Sequence, residues 1–308
     1  MGSRYGVIGT GALGGFYGGM LAKAGREVHF LLRGDYEYVR ENGLRVDSVN
    51  GDFHLPKVNA YAAADAMPMC DVVLVCVKTT ENHHLPNLLR PLLRSGTVVV
   101  MLQNGLDTES DLAALLPGTE IAGGLAFICS QKKGPGYIRH LDYGKLDIGS
   151  YNVKNTAILG EMIEDFRAAG VPAEMSGDLR FARWRKLVWN VPFNGLTVVM
   201  NTTTASLLRY DSARRLVMEI MLEVINGANQ CGIGLRESLA QKMIEMTLAM
   251  IPYEPSMKLD YDNHRPMEID CIYTKPIEAA AIAGFDMSRT AMLESQLRFA
   301  EYKMNSEM

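Results

Sequence analysis

The chain is short of several things, and each shortage excludes a class of protein. No two of its five cysteines (Cys70, Cys76, Cys129, Cys231 and Cys271) have the C-x-x-C spacing of a zinc or redox site. An odd number of cysteines, several in apolar runs such as "VVLVCV", fits buried reduced thiols in a reducing compartment rather than a disulfide-stapled scaffold. Basic residues are not in excess: Lys plus Arg number 31 against 35 Asp plus Glu, a formal net charge of -4. A nucleic-acid partner, which needs a clustered basic face, is not expected. No apolar run approaches the ~18 residues of a membrane span. The chain opens almost directly on a strand-like motif, so no signal peptide is expected either. These absences leave an acidic cytoplasmic protein with no metal site, and 308 residues are comfortable for two domains.

Strand-like and helix-like segments alternate through the first half. Tyr5–Gly9, Glu27–Leu32, Asp71–Val77, Thr97–Leu102 and Ile121–Ile128 read as strands, with helices at Ala12–Ala24, Leu85–Leu93 and Leu112–Leu116. The continuous apolar run "DVVLVCV" is the pattern of a parallel strand buried on both faces. The alternation predicts an α/β, doubly wound sheet. Asn50-Gly51, flanked by alternating residues over Leu44–Leu55, predicts a hairpin. Gly136–Ile148 reads as two short strands around Tyr143-Gly144. After about Met175 the pattern turns helical, with helices expected at Asp178–Trp189, Ala213–Asn229, Glu237–Met250, Arg265–Ala283 and Arg289–Lys303. The expected domains are therefore 1–176, Rossmann-type, and 177–308, all-α.

Gly9, Gly11 and Gly14 form G-x-G-x-x-G directly after the first strand and at the start of a helix. Gly9 permits the tight turn, Gly11 lets the backbone approach a pyrophosphate, and Gly14 lets helix and strand pack closely. The helix N-terminus presents N–H groups and partial positive charge to the phosphates. Gly9, Thr10, Gly11, Ala12, Leu13 and Gly14 are thus the expected cofactor turn. Arg33 stands at the end of the second strand, where NAD enzymes usually carry Asp or Glu; its guanidinium suits the 2′-phosphate of NADPH. Asp35, two residues on, could compete for the ribose. Lys78, after the strand "VVLVCV", could add a second positive charge.

In "RWRKLVWNVPFNGLT", Lys186, Asn190 and Asn194 recur every four residues. On a helix they share one face, drifting by about 40° per step, and Pro192 should bend that helix. Taken alone, the face is either a reactive one or a solvated polar stripe. A second segment, "PSMKLDYDNHRPMEID", carries Ser256, Asp260, Arg265 and Glu268.

Taken together, the chain resembles the ketopantoate reductase family nearly end to end. The resemblance rests on the glycine turn, Arg33, "VKTT" at Val77–Thr80, "QNG" at Gln103–Gly105, "KLxxNxxxNxLT" from Lys186 and "SMxxDxxxxRxxEID" from Ser256. It implies NADPH-dependent reduction of 2-dehydropantoate to pantoate, with Lys186 as the catalytic lysine and Glu268 beside it. It also implies cofactor or substrate contacts at Asn104, Asn190, Asn194 and Ser256, and a homodimer formed through the helical domain. No histidine falls in a matching motif, so Lys186 is the expected general acid. Two stretches depart from the family. Tyr253 stands where an Asn is common, and "CIYTKP" replaces the usual Asn-Gly after Asp270, with Pro276 where the family runs helical. A relative that reduces another branched 2-oxo acid is the second reading, with the Tyr253–Ser256 wall deciding. A non-catalytic NADPH-binding sensor is the third, though it would have no need of a proton donor.

Overall fold

The computed structural model describes residues 2–250 and 254–306, so the expectation at Tyr253 lies outside the described residues. The chain divides into two compact units, Met1–Gln103 with Thr108–Leu179, and Asn104–Asp107 with Arg180–Met308.

The first unit begins with β1 (Arg4–Ile8), α1 (Ala12–Lys23), β2 (Glu27–Leu31), α2 (Tyr36–Asn42), β3 (Leu44–Ser48), β4 (Phe53–Leu55) and β5 (Asn59–Tyr61). It continues with β6 (Val72–Val75), α3 (Leu85–Leu89), β7 (Val98–Met101), α4 (Thr108–Leu115), β8 (Glu120–Gly134), β9 (Tyr137–Ser150), α5 (Ala157–Ala168) and β10 (Ala173–Met175). All ten strands form one mixed sheet in the order β4-β3-β9-β8-β7-β6-β1-β2-β5, with β10 beside β9. The pairs β1–β2, β1–β6, β6–β7 and β7–β8 are parallel, as the continuous apolar runs require. Their side chains alternate between two apolar layers. Tyr5, Val7, Val72, Leu74, Val98 and Val100 pack with Phe16, Tyr17 and Phe166 on one face. Ile8, Val73, Val75, Val99 and Met101 pack with Leu85, Leu89 and Leu112 on the other. Burial on both faces is why these strands show no polar alternation.

The hairpin at Asn50-Gly51 is present as antiparallel β3–β4. Gly136–Ile148 is not two strands. All of it but Gly136 lies within the single strand β9, which pairs antiparallel with β8. Tyr143 (φ 61°) and Gly144 (φ 122°) mark an irregularity in that ladder, where the register shifts between Phe127 and Ile128. A bulge and a turn use the same left-handed backbone, so the dipeptide alone does not distinguish them. Helix α5 and strand β10 had no counterpart in the sequence reading. No disulfide forms among the described residues, and burial pushes the Cys70 and Cys129 thiols up to about 12.

The second unit holds α6 (Leu179–Val199) from its second residue on, α7 (Thr204–Arg209), α8 (Asp211–Gln230), α9 (Ser238–Ala249), α10 (Ser256–Asp262), α11 (Lys275–Ile282) and α12 (Ser288–Ser306). No described residue beyond Met175 is in a strand. Helix α6 runs on through Pro192, ten residues further than the expected Trp189 end. Trp189 Nε1 donates to Thr247 Oγ1 at 2.9 Å, tying α6 to α9. The helix expected at Arg265–Ala283 is broken: a π-helical turn over Asp270–Thr274 precedes α11, with Pro276 in the first turn of α11. A proline cannot donate to the carbonyl four residues back and its ring crowds that carbonyl. The wider π turn takes up the misfit. Among the described residues no helix is long and apolar enough to cross a membrane.

One buried carboxylate organises the end of this unit. Glu223 on α8 accepts the N–H groups of Arg289 (3.0 Å) and Thr290 (2.7 Å) and the Thr290 hydroxyl (2.7 Å), capping α12 from outside. Removing it strands three donors at a helix N-terminus, the two on Thr290 buried and the Arg289 N–H partly so, where a negative charge is also favoured. Glu223→Ala is expected to lower the unfolding free energy by about 3 kcal/mol. Urea denaturation checks this, and an unchanged midpoint would refute the cap.

Candidate active site

The expected cofactor residues fall at the carboxyl edge of the parallel strands. Register pairs Ile8 with Leu31 and Val75, and Val75 with Met101. The residues that follow these ends are Gly9 after β1, Arg33 after β2, Lys78 after β6 and Asn104 after β7. The chain leaves β1 toward β2 on one side and returns to β6 on the other, so this edge contains the topological switch point where doubly wound sheets bind ligands.

The three glycines are needed for three different reasons. Gly9 has φ 93°, and a Cβ there would lie 2.7 Å from Val77 N. A Cβ on Gly14 would lie 2.2 Å from the Gly9 carbonyl oxygen and 2.9 Å from Val7 Cγ1, so α1 can sit on β1 only without one. A Cβ on Gly11 would meet nothing within 4 Å. Nothing inside the protein demands glycine at Gly11; the open space beside it fits a pyrophosphate approaching the backbone. Gly11 is the N-cap of α1, with no side-chain cap and no acidic residue in the first turn. Those N–H groups suit an anion. Ala12 and Leu13 follow, half-buried, while Thr10 is buried and its hydroxyl donates to Leu31 O at 3.1 Å, joining the turn to the end of β2.

Arg33 is exposed over 90% of its side chain and pairs with Glu81 at 3.1 Å. Asp35 is itself paired. Its carboxylate is taken by Lys132 at 2.6 Å and by the Gly136 N–H at 3.1 Å, both from the β8–β9 hairpin. Lys78 caps a 3-10 segment over Thr79–His84. Gln103 braces that segment, its Nε2 donating to Val77 O (2.9 Å) and Asn82 Oδ1 (2.6 Å). The sequence reading used Gln103 only as part of a motif. Its signal was a polar residue closing an apolar strand.

The second unit gathers the other expected residues. Lys186 is half-buried on α6, and Asn190 and Asn194 are buried on the same helix. Asn194 Oδ1 accepts the Met257 N–H at 3.2 Å, fixing the start of α10, where Ser256 is the first residue. The side-chain carbonyl of Asn194 is therefore used to hold the backbone. Asp260, buried, pairs with Arg265 at 3.2 Å and closes the loop that leads to buried Glu268. Two of the contacts that hold the segment after Glu268 come from Tyr273 and Cys271. The Tyr273 hydroxyl donates to Val191 O at 2.8 Å, beside Pro192, and burial pushes its phenol well above the usual range. Leu106 N donates to Cys271 O at 2.8 Å, and a Cβ on Gly105 (φ 96°) would lie 2.4 Å from Cys271 Cβ. Asn104 is held next to this close approach. Asn104, Asn194, Ser256 and the Glu268 segment are thus anchored within one unit. Tyr273 carries no signal in the sequence, because its partner lies 82 residues away.

The glycine geometry separates folding from binding. Gly14→Ala is expected to cost about 3 kcal/mol or more, because a backbone carbonyl must move. Gly11→Ala is expected to melt within a few degrees of the parent protein but to bind NADP+ at least about tenfold more weakly. Thermal melts and a fluorescence titration with NADPH check both. Equal losses of stability in the two variants would remove the assignment of Gly11 to a ligand.

Comparison with known proteins shows the family. Residues 5–153 match the family described as Ketopantoate reductase PanE/ApbA, and residues 178–301 match Ketopantoate reductase PanE/ApbA C terminal. A 2-dehydropantoate 2-reductase from a Nostoc species is 46% identical over 303 residues, covering 97% of this chain and 95% of that protein. The crystal structure of 2-dehydropantoate 2-reductase from Geobacter metallireducens superposes with a TM-score of 0.94 at 43% identity, covering 96% of this chain and 99% of that one. The enzyme of the same name from Methylococcus capsulatus has a TM-score of 0.88 at 32% identity, covering 98% and 97%. The chain belongs to the ketopantoate reductase PanE/ApbA family.

Proposed function

We propose that the chain is a 2-dehydropantoate 2-reductase that uses NADPH to form pantoate. The observation that carries this reading is near-complete coverage at 46% identity of a protein named for that reaction. Around it stand the open space at Gly11 and an arginine, rather than a carboxylate, at the end of β2. The nicotinamide, when bound, supplies the hydride that the C2 carbonyl carbon accepts. The chain's own residues do the rest. Lys186 Nζ gives a proton to the C2 oxygen as negative charge develops there, and its cation stabilises that charge beforehand. By the family resemblance Glu268, buried near the end of the second motif, stands beside the active lysine. Ser256 donates to the substrate carboxylate. Asn104, Asn190 and the Asn194 NH2 hold the substrate without titrating. Gly9 to Gly14, Arg33 and Lys78 hold the dinucleotide, with Asn104 contacting both ligands. The helical unit carries the catalytic residues, and the same reading makes the enzyme a cytoplasmic homodimer.

Lys186→Ala is expected to lower turnover by at least about 100-fold while NADPH affinity stays within a factor of two. NADPH oxidation at 340 nm with 2-dehydropantoate, beside equilibrium titration, reads both; undiminished turnover would sink the lysine's role. Arg33→Ala is expected to raise KM for NADPH about 30-fold, or ~2 kcal/mol, with little change for NADH. Equal effects on the two cofactors would remove the NADPH assignment.

A further inference from the structure

We propose that Glu81 is a dinucleotide-selectivity residue, moderating the preference that Arg33 sets for NADPH over NADH. The inference rests on the reading of Arg33 as the 2′-phosphate contact. Glu81 Oε2 lies 3.1 Å from Arg33 Nη1, so the guanidinium that would bind the phosphate is held by a carboxylate. The other acidic residue near the end of β2, Asp35, is occupied by Lys132 and the Gly136 N–H, which leaves Glu81 as the carboxylate on Arg33. Glu81 is also not on a loose loop. Its 3-10 segment, Thr79–His84, is braced on both sides of Glu81 by Gln103, through Val77 O and Asn82 Oδ1. The backbone that carries the carboxylate is therefore held on both sides.

Two consequences follow for a dinucleotide. A 2′-phosphate must draw Arg33 away from Glu81 and then sit close to a charge of its own sign. A ribose 2′-hydroxyl meets neither cost, because it is neutral and can donate a hydrogen bond to the Glu81 carboxylate. One side chain thus opposes NADPH and favours NADH, at a position where the arginine does the reverse. Arg33 is highly exposed, so solvent screens the effect and it is modest: about 3- to 10-fold in affinity.

Isothermal titration of the full-length protein with NADP+ and with NAD+ tests this directly, using the parent, Glu81→Gln and Arg33→Ala, with thermal melts to verify folding. Glu81→Gln is expected to bind NADP+ 3- to 10-fold more tightly (about the range above), with NAD+ affinity unchanged or weaker. Tightening of both ligands alike, or of neither, overturns the proposal. If Arg33→Ala weakens NADP+ while Glu81→Gln changes nothing, only the role of Glu81 falls. If Arg33→Ala leaves NADP+ affinity unaltered, the reading of Arg33 falls and takes this proposal with it.

Discussion

The close approach of α1 to β1 is the constraint on which the first unit depends. A helix can sit this near a strand only where a backbone carbonyl faces no side chain, and Gly14 against the Gly9 oxygen meets that condition. The same contact aims the N-terminus of α1 across the carboxyl edge of the sheet. Packing and anion recognition are therefore one geometric decision, made by two residues whose purposes differ. Gly14 serves the core, whereas Gly11 meets nothing inside the protein and under the proposed function serves the cofactor.

In the helical unit the equivalent constraint is a set of cross-links to α6. A helix that carries a proline and a polar face within a core is a poor candidate for rigidity. Here Tyr273 takes up Val191 O next to Pro192, Asn194 holds the start of α10, and Trp189 binds Thr247 on α9. The polar residues that give α6 its chemical character are partly used to fasten it. Placing a reactive face on a helix fastened at several levels is how precision is obtained from an element that would otherwise flex.

What could be read from the sequence was what is local. The glycine turn, the hairpin at Asn50-Gly51 and the face of Lys186, Asn190 and Asn194 each depend on spacings of four residues or fewer along the chain, which backbone geometry converts directly into positions. What could not be read depends on partners far apart. Glu223 caps α12 from a helix 66 residues earlier, and Arg33 meets Glu81 across 48. The pairing of Asp35 with the β8–β9 hairpin was invisible for the same reason. The errors at Tyr143-Gly144 and at Arg265–Ala283 are of another kind. A bulge imitates a turn, and a π turn hides inside a helical pattern, because both share local conformations with the element they are mistaken for.

The placement of the aromatic residues on α6 has an optical consequence. Trp184 and Trp189 are the chain's two tryptophans, and both lie on this helix, one fully buried and the other half-buried with its indole hydrogen-bonded to Thr247. The protein's intrinsic indole emission therefore arises from the element that carries Lys186 and from nowhere in the sheet. Light absorbed at the red edge of the protein spectrum makes that one helix its own reporter, without any label being attached.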